Sequence, residues 1–387
     1  MKHNKSMVRI VHAFIAVFLF ITGLELSVYI YVSIFEERYV FRDFSQFAIE
    51  DGKNRWRVEK RFSPALGWEH YHQTPFGERR RPTEYEESFI ATFGDSFTWG
   101  TDLQRTETWQ TRLSEMLGRN VFNFGGTAYG TDQALLRYLR DHEKVDVDIS
   151  ILALIPENIN RIANVYRKFY FKRTGIPTTK PYFSVVDGQV VLNENPIRKR
   201  DEINRLKDEA FLREIAEYDY WARRMFDRPE KKFPHIGLLF DSNFLSQTKD
   251  IIAGHDTAKY SEARSSDNLW DNPTYVVIMK HIFATFVEEA KKTGETPILM
   301  LLPQGQDIRQ ILDGQRYPGE GVMQEECRAK GYLCIFPADF MADSIGSSQR
   351  IPEYYFRGGI GHPTPKATEL IAAAVYRFLQ DEALIEN

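Results

Sequence analysis

The feature that most constrains the fold is an apolar run, Phe89 to Phe93, which breaks into Gly94-Asp95-Ser96 and is followed by a helical pattern. This pattern is typical of a β-strand that ends in a tight turn and leads into a helix. Ser96 would then lie at the carboxyl end of a strand, where open α/β sheets bind their ligands. Asp95 is expected to be a structural turn residue whose carboxylate accepts hydrogen bonds from nearby backbone N–H groups.

The same alternation continues along the chain. Apolar strands are predicted at residues 120–124 and 147–155, and helices at residues 108–117, ending at Gly118 as a C-cap, and 131–139. Later elements of the same kind are predicted at residues 273–292 (helix), 297–302 (strand), 322–330 (helix), 332–336 (strand) and 365–382 (helix). Strands that alternate with helices indicate βαβ units and a parallel sheet. The loops that follow the strands should therefore converge at one edge of that sheet.

The alternation stops in an aromatic-rich stretch at about residues 162–270. It is interpreted as an insertion that covers the site, with a separate domain as the less favoured alternative. Residues 182–192 predict a β-hairpin around Asp187-Gly188, and residues 206–228 predict one amphipathic helix. Its aromatic side chains could form a platform for sugar rings, but packing is the preferred interpretation because stripes of this kind usually form cores. They are Tyr166, Phe169, Tyr170, Tyr218, Tyr220 and Trp221.

The N-terminal segment predicts a membrane anchor. Residues 10–35 are apolar except for one formal charge, Glu25, and about 20 such residues cross the hydrocarbon core of a bilayer. A cleaved signal peptide is less favoured, because no small-residue cleavage site follows the apolar run. Basic residues precede the segment and Glu36 and Glu37 follow it, so the N-terminus should be cytoplasmic and the remaining chain extracytoplasmic, which in a bacterium is the periplasm.

Composition excludes several classes of function. The formal net charge is -4, which gives no electrostatic reason to expect nucleic acid as a partner. Cys327 and Cys334 are too few for a disulfide framework or a zinc site, and buried thiols are preferred over a single bridge.

His70 and His72 are interpreted as surface residues, and no metal or cofactor is expected. The arginine triplet within the run 78–81 is interpreted as a solvated face, with contact to an anionic glycan or headgroup as the alternative.

Four short blocks carry a resemblance to a known family. They are Phe93-Gly-Asp-Ser-Phe-Thr-Trp-Gly100, residues 123–133 (NFGGTAYGTDQ), Glu157-Asn158 and Gly361-His362-Pro363. In this order they resemble the sequence blocks of the SGNH hydrolases, also called the GDSL esterase/lipase superfamily, from about Leu66 to the C-terminus. The resemblance implies a flavodoxin-like three-layer α/β/α sandwich with a parallel sheet, and ester chemistry on lipids, glycans or small acyl compounds.

The resemblance also implies roles for individual residues. Ser96 matches the nucleophile, and its N–H matches one donor of the oxyanion hole. Ala128 stands where the family has a glycine that contributes a second backbone N–H, and Asn158 matches the side-chain amide donor. His362 matches the base, which takes the proton of the serine hydroxyl. These residues also supply the minimum set that acyl transfer needs.

The residue that should orient the histidine is missing from its usual place. The family has an aspartate three residues before the histidine, where this chain has Gly359. Either a backbone carbonyl orients His362 in a Ser-His dyad, or a carboxylate from elsewhere replaces the aspartate. The dyad is the preferred prediction. The candidate acids near in sequence are Glu353, Asp339 and Asp343.

Taken together, the sequence predicts a cytoplasmic tail at residues 1–9, a transmembrane helix at 10–35, a linker and N-terminal extension at 36–87, and an SGNH-like domain at 88–387. The first functional hypothesis is a membrane-anchored esterase that removes an acyl group from an extracytoplasmic glycan or lipid. An O-acyltransferase acting on a surface polysaccharide is the second, because water and a sugar compete for the same acyl-enzyme. A non-catalytic, glycan-binding or scaffold protein on a degenerate domain is the third.

Overall fold

A five-stranded parallel sheet organises the part of the chain that carries the four blocks. In a computed structural model, which describes residues 2–50, 61–70, 74–254 and 269–386 and side chains from residue 7 onward, the strand order is β4-β3-β5-β8-β9. The strands are β3 (Ser88–Gly94), β4 (Asn120–Gly125), β5 (Ile149–Leu154), β8 (Thr296–Leu301) and β9 (Leu333–Ile335). Numbered within the sheet, the order is 2-1-3-4-5, that of flavodoxin-like folds, so the predicted fold class is confirmed.

The three central strands, β3, β5 and β8, are buried on both faces, as expected for a parallel sheet covered by helices. Helices Trp109–Leu117, Ala338–Ile345 and Pro365–Asp381 pack against one another, and helices Thr131–Asp141 and Pro273–Lys292 form a second group. The prediction that Gly118 caps the first of these helices is confirmed, because Gly118 has φ 65° and its N–H bonds to the carbonyl of Ser114. Further helices are Gly305–Leu312 and Glu320–Lys330.

Two small antiparallel pairs accompany the sheet. Strands β1 (Phe62–Ser63) and β2 (Gly67–Trp68) pair in the N-terminal extension, and β6 (Tyr182–Val186) pairs with β7 (Gln189–Asn193). The second pair is the predicted hairpin, and Asp187 and Gly188 both have positive φ in its turn. Short helical turns are Ser96–Trp99, Arg105–Glu107, His142–Lys144, Asn158–Ile162, Arg167–Tyr170, Arg200–Lys207, Leu269–Asp271, Ser348–Arg350, Ile351–Tyr354 and Phe356–Gly359.

The chain divides into two compact units, Ile49–Leu206 with Asn268–Asn387, and Met1–Ala48 with Lys207–Asp267. The first contains the sheet, and the predicted insertion 162–270 is shared between the two. The second begins with helix α1 (Lys2–Ile34), of which Met7–Ile34 is long and apolar enough to cross a membrane. It also contains Glu36–Arg38, Ser45–Phe47, Glu209–Ala216, Tyr220–Phe226, His235–Phe240 and Ser242–Ile252.

The amphipathic helix predicted over residues 206–228 is helical for most of its length, but it is not continuous. Two short helices, Glu209–Ala216 and Tyr220–Phe226, occupy this range. Each begins at an aspartate that caps it, since Asp208 accepts a hydrogen bond from the N–H of Ala210 and Asp219 accepts from those of Trp221 and Ala222. An aspartate side chain of this kind competes with the helical ladder and starts a new helix.

The preference for free thiols is wrong, because Cys327 and Cys334 form a disulfide. The Cα atoms of the two residues are 6.4 Å apart, within the range that a bridge can span. Cys327 lies in the last turns of helix Glu320–Lys330 and Cys334 lies in β9. The short connection between this helix and the edge strand therefore brings the two sulfurs together.

Candidate active site

Three neighbouring strands of the sheet deliver the predicted site residues. Ser96 follows β3, the 125–130 loop follows β4 and Asn158 follows β5. Because β3 lies between β4 and β5, the three site segments lie at neighbouring carboxyl ends of the sheet. The sheet order reverses at β3, and such a switch point is where open α/β sheets form a binding crevice.

Close contact between the backbones requires glycine at two positions of this edge. A Cβ atom on Gly94 would lie 2.1 Å from Oγ1 of Thr98, and one on Gly125 would lie 2.3 Å from the N of Trp99. Both distances are far below van der Waals contact. The turn that presents Ser96 is therefore packed directly against the loop that follows β4.

Asp95 has the structural role expected for it. Its buried carboxylate accepts a hydrogen bond of 2.8 Å from the N–H of Phe97 and caps the turn Ser96–Trp99. Burial raises the pKa of Asp95, and the nearby Arg161 guanidinium opposes this shift. The turn leaves Ser96 at its first position, with only 4% of the residue exposed.

Arg161, for which no role was predicted, joins the three loops. Its guanidinium donates to the carbonyl of Tyr129 at 2.9 Å and to the carboxylates of Asp95 at 3.4 Å and Glu157 at 3.2 Å. Burial acts to raise the pKa of Glu157, but the charge of Arg161 lowers this pKa to about 2. The hydrogen bond from the hydroxyl of Tyr170 lowers it as well. One buried cation thus fixes the relative positions of the loops after β3, β4 and β5.

His362 contacts Ser96 directly. Its Nε2 lies 3.1 Å from Oγ of Ser96, and its ring packs edge-on against Phe97. The loop that carries His362 is held by the hydrogen bond from the N–H of Phe356 to the carbonyl of His362, 2.9 Å long. Two residues separated by 266 positions are thus brought within hydrogen-bond distance.

The other nitrogen of His362 faces a carboxylate. Nδ1 lies 2.8 Å from Oδ2 of Asp102, in the loop that follows the Ser96 turn. The preferred prediction of a dyad oriented by a backbone carbonyl is therefore wrong. Because a carboxylate only accepts, the ring carries its proton on Nδ1 in the neutral state and presents the Nε2 lone pair to the serine hydroxyl.

None of the three acids proposed from the sequence is a partner of His362 in the described chain. Glu353 bonds to Lys366 at 2.8 Å and to Arg350 at 3.4 Å, and Asp339 pairs with Arg316 at 2.9 Å. Asp343 is exposed on helix Ala338–Ile345. These carboxylates belong to surface ion pairs or face solvent.

The conformation of Gly359 explains why no acid stands three residues before His362. Gly359 has φ 99°, a backbone conformation that side chains rarely adopt, and an added Cβ would lie 3.0 Å from Cγ2 of Ile351. An aspartate at this position would strain the loop. Asp102, which itself has φ 71°, reaches the imidazole from the other side of the site.

Arg79 holds the loop on which Asp102 lies. Its guanidinium donates to the carbonyls of Trp99, of Gly100 at 2.7 Å and of Leu103 at 2.7 Å. The interpretation of residues 78–81 as a solvated face is thus wrong for Arg79, and only Arg80 of the three arginines is exposed. The carbonyls of a sharp loop need donors, and one planar guanidinium supplies several.

His70 is not the surface residue that was expected. Its Nε2 accepts a hydrogen bond of 2.9 Å from the N–H of Thr127, and its ring stacks on Trp99 with centroids 3.8 Å apart. His72 lies outside the described residues. The described part of the chain contains no cluster of three potential metal ligands. His70 therefore stabilises the loop next to Ala128.

Three candidate donors at this edge have no hydrogen-bond acceptor among the described residues. They are the backbone N–H groups of Ser96 and Ala128 and the side-chain amide of Asn158, whose Nδ2 and Oδ1 atoms are both buried. Ala128 has φ 65°, so the alanine adopts the left-handed conformation that a glycine would favour. A buried amide without a partner is costly, and a ligand oxygen would satisfy it.

The packing of the aromatic residues agrees with a structural role for most of them. Tyr166, Phe169 and Trp221 are at most 3% exposed, and Tyr170 donates its hydroxyl hydrogen to Glu157 at 2.7 Å. Tyr218 is exposed.

Comparison with known proteins gives matches among solved structures alone. No family model matches the chain, and no curated protein matches it. The chain is similar to a member of the lipolytic protein G-D-S-L family from Veillonella parvula, with 14% identity over 75% of this chain and 97% of that one, at a TM-score of 0.33.

Two further similar structures are a lipase/acylhydrolase from Enterococcus faecalis and a catalytic mutant of an acetylxylan esterase from Geobacillus stearothermophilus. The first has 13% identity over 76% of this chain and 96% of that one, at a TM-score of 0.37. The second has 12% identity over 77% and 95%, at a TM-score of 0.38. Similarities at this level assign no role to any residue of this chain.

Proposed function

We propose that this protein is a serine esterase of the SGNH hydrolase type, anchored in a membrane by α1, with Ser96, His362 and Asp102 as its catalytic triad. The continuous chain of contacts from Oγ of Ser96 through the imidazole of His362 to the carboxylate of Asp102 carries the proposal. This is the constellation that activates a serine hydroxyl, in which the acid fixes the tautomer and stabilises the imidazolium.

The reaction follows from the positions of these atoms. Oγ of Ser96 attacks the ester carbonyl carbon while Nε2 of His362 takes the hydroxyl proton, and the resulting imidazolium is stabilised by Asp102. The carbonyl oxygen becomes an oxyanion that accepts hydrogen bonds from the N–H groups of Ser96 and Ala128 and from the amide of Asn158. His362 then returns its proton to the departing alcohol, leaving an acyl-enzyme.

Water completes the turnover. His362 removes a proton from a water molecule, which attacks the acyl carbon. The bond from the acyl carbon to Oγ of Ser96 then breaks, and His362 returns the proton to Oγ as the acid leaves. The side chains of His362 and Asp102 are 23% and 42% exposed, so solvent can reach the base. Transfer of the acyl group to a sugar hydroxyl would start from the same intermediate, and product analysis with and without a glycan acceptor distinguishes the two outcomes.

Two features support an extracytoplasmic catalytic domain. Basic residues precede the span and Glu36 and Glu37 follow it, in agreement with a cytoplasmic N-terminus. The Cys327–Cys334 bridge is typical of an oxidising compartment such as the periplasm. The substrate class is an acylated glycan, a lipid or a small ester.

A fluorophosphonate probe tests the proposed function, because it reacts with activated serines. The wild-type protein should be labelled, and Ser96→Ala should not. A protein that is folded by circular dichroism yet unlabelled would instead support a non-catalytic binding or scaffold role.

A further inference from the structure

Glu25, the single charged residue of the apolar segment 10–35, caps another helix. Its carboxylate accepts hydrogen bonds from the N–H groups of His235 at 2.7 Å and Ile236 at 2.8 Å, and from Nδ1 of His235 at 2.7 Å. These donors begin the 3-10 helix His235–Phe240, which has no side-chain cap of its own at Pro234. The first turn of that helix is therefore fixed to Glu25.

The position of Glu25 along α1 determines the depth of this contact. The apolar helix Met7–Ile34 has 28 residues, and the hydrocarbon core needs about 20 of them. The part of the helix that lies in the hydrocarbon core could be any such stretch between residues 7–26 and residues 15–34, and each of these placements includes residue 25. If α1 is the anchor of the proposed function, His235 and Ile236 thus lie at or inside the outer edge of the hydrocarbon core. The three donors explain how a carboxylate is accommodated there.

Apolar packing holds the following residues against the same part of α1. Val28 and Val32 are buried in a cluster with Tyr39, Leu238, Phe244 and Ile251. This cluster covers one side of α1 over its last turns. The segment that begins at His235 therefore lies along the outer end of the span.

Several apolar side chains within this segment and near it are exposed. Phe240 is 85% exposed, Phe233 is 77% and Ile252 is 78%, and Leu239 is also exposed. Large aromatic side chains exposed to this extent in one region mark a contact surface. The lipid-facing side chains of α1, such as Leu26 and Ile30, are exposed in the same unit.

Charged groups mark where the surrounding chain returns to water. Lys231 pairs with Glu36 at 2.7 Å, and Glu36 lies just beyond the end of α1. From Lys231 to His235 the chain can extend by roughly 13 Å, which is close to the roughly 16 Å of helix between Glu25 and Glu36. The chain thus has the length to descend from the aqueous side to the depth of Glu25.

We propose that Phe233–Phe240, together with Ile252, inserts into the outer leaflet of the bilayer, next to α1. The occupant of this apolar surface is lipid, because the hydrogen bonds of Glu25 and the cluster that Leu238 forms with Val28 and Val32 hold the segment against the span. The inference rests on the proposed membrane anchor. It adds a second membrane contact, which fixes this unit at the bilayer surface.

Spin labels on the full-length protein in phosphatidylcholine vesicles test this inference. The two native cysteines are bridged, so a label attaches to a single introduced cysteine. Phe240→Cys and Ile252→Cys report on the proposed surface, Leu19→Cys on the middle of the span, and Lys232→Cys on the aqueous side. Accessibility to oxygen, which concentrates in lipid, is compared with accessibility to a water-soluble nickel chelate.

Labels at positions 240, 252 and 19 should all be reached by oxygen and protected from nickel, whereas the label at 232 should be reached by nickel. Protection at 19 with nickel access at 240 and 252 would overturn the inference and leave the anchor intact. Nickel access at 19 would overturn the anchor itself. Low accessibility to both reagents at 240 and 252 would show that protein covers this surface, which also overturns the inference.

Discussion

Nδ1 of His362 lies 2.8 Å from Oδ2 of Asp102, a residue 260 positions earlier in the chain. Asp102 follows Ser96 by six residues, so the loop that leaves the nucleophile turn returns past it and supplies the acid. The base comes from the opposite end of the domain. The nucleophile and the acid therefore belong to one short segment, and the orientation of His362 depends on the conformation of that segment.

Replacing Asp102 tests the acid. Asp102→Asn should reduce kcat/KM for a simple ester by roughly 10² to 10⁴, because the amide favours the wrong tautomer and does not stabilise the imidazolium. Steady-state rates of ester hydrolysis measure the effect.

The matched controls are the three carboxylates that lie away from His362. Glu353→Gln, Asp339→Asn and Asp343→Asn should each keep most of the activity. If one of them lost as much activity as His362→Ala while Asp102→Asn did not, Asp102 would have been assigned wrongly.

Removing the amide of Asn158 tests the oxyanion hole. Asn158→Ala should reduce kcat by about 10² to 10³ with little change in KM, because the lost hydrogen bond strengthens only in the transition state. The native amide has no partner among the described residues, so the fold should be retained. Ala128→Gly should remain active, since it keeps the N–H and suits φ 65°. Unchanged turnover in Asn158→Ala would remove this residue from the site.

Arg79 should act as a positioning residue. Arg79→Ala removes the donor for the carbonyls of Trp99, Gly100 and Leu103 and should free the loop that carries Asp102. We expect kcat to fall at least several-fold with little change in KM, because the loop positions a group that acts in the transition state.

Arg80→Ala is the control for Arg79, because the neighbouring arginine is exposed. It should leave both kcat and KM unchanged. A lower melting temperature in Arg79→Ala without any change in kcat would limit Arg79 to a role in stability.

Asp307 should make stability depend on pH. Burial raises the pKa of Asp307 from 3.8 to about 7, against the opposing effect of the Gln304 N–H that its carboxylate caps. Between these values the native state holds a proton that the unfolded chain has lost, so the free energy of unfolding falls as the pH rises from about 4 to 7.

Asp307→Asn stays neutral and should show a smaller decline in stability over this interval. Urea unfolding in detergent at pH 5 and pH 8, followed by circular dichroism, measures the difference. Asp313→Asn, which alters an exposed carboxylate at the end of the same helix, should keep the decline of the wild type. An identical decline in Asp307→Asn would contradict the raised pKa.

The sheet could be predicted from the sequence because its signals are local. Buried parallel strands are continuous apolar runs, and the predicted helix at residues 273–292 matches the observed bounds. The break in the helix predicted over 206–228 could not be foreseen, because Asp208 and Asp219 can either continue a polar face or begin a new helix. Only the tertiary packing decides between these conformations.

The acid could not be found because its signal is not local. Asp102 stands in a polar turn, where an aspartate is ordinary, and its contact with His362 depends on the folding of distant loops. Gly359 could be recognised at the position where the family has its acid, but the carboxylate that replaces this acid could not. The role of Arg79 could not be predicted either, since an arginine beside two others normally faces solvent.

The acyl-enzyme is the most direct test of the proposed triad. The protein is mixed with p-nitrophenyl acetate, quenched in acid during the first turnovers, digested and examined by mass spectrometry. We predict one acetyl group on the peptide that contains Ser96 in the wild type, a greatly slowed appearance of it in Asp102→Asn, and none in His362→Ala. Continued release of acetate by a folded Ser96→Ala protein, or an acetyl group on another residue, would contradict the account.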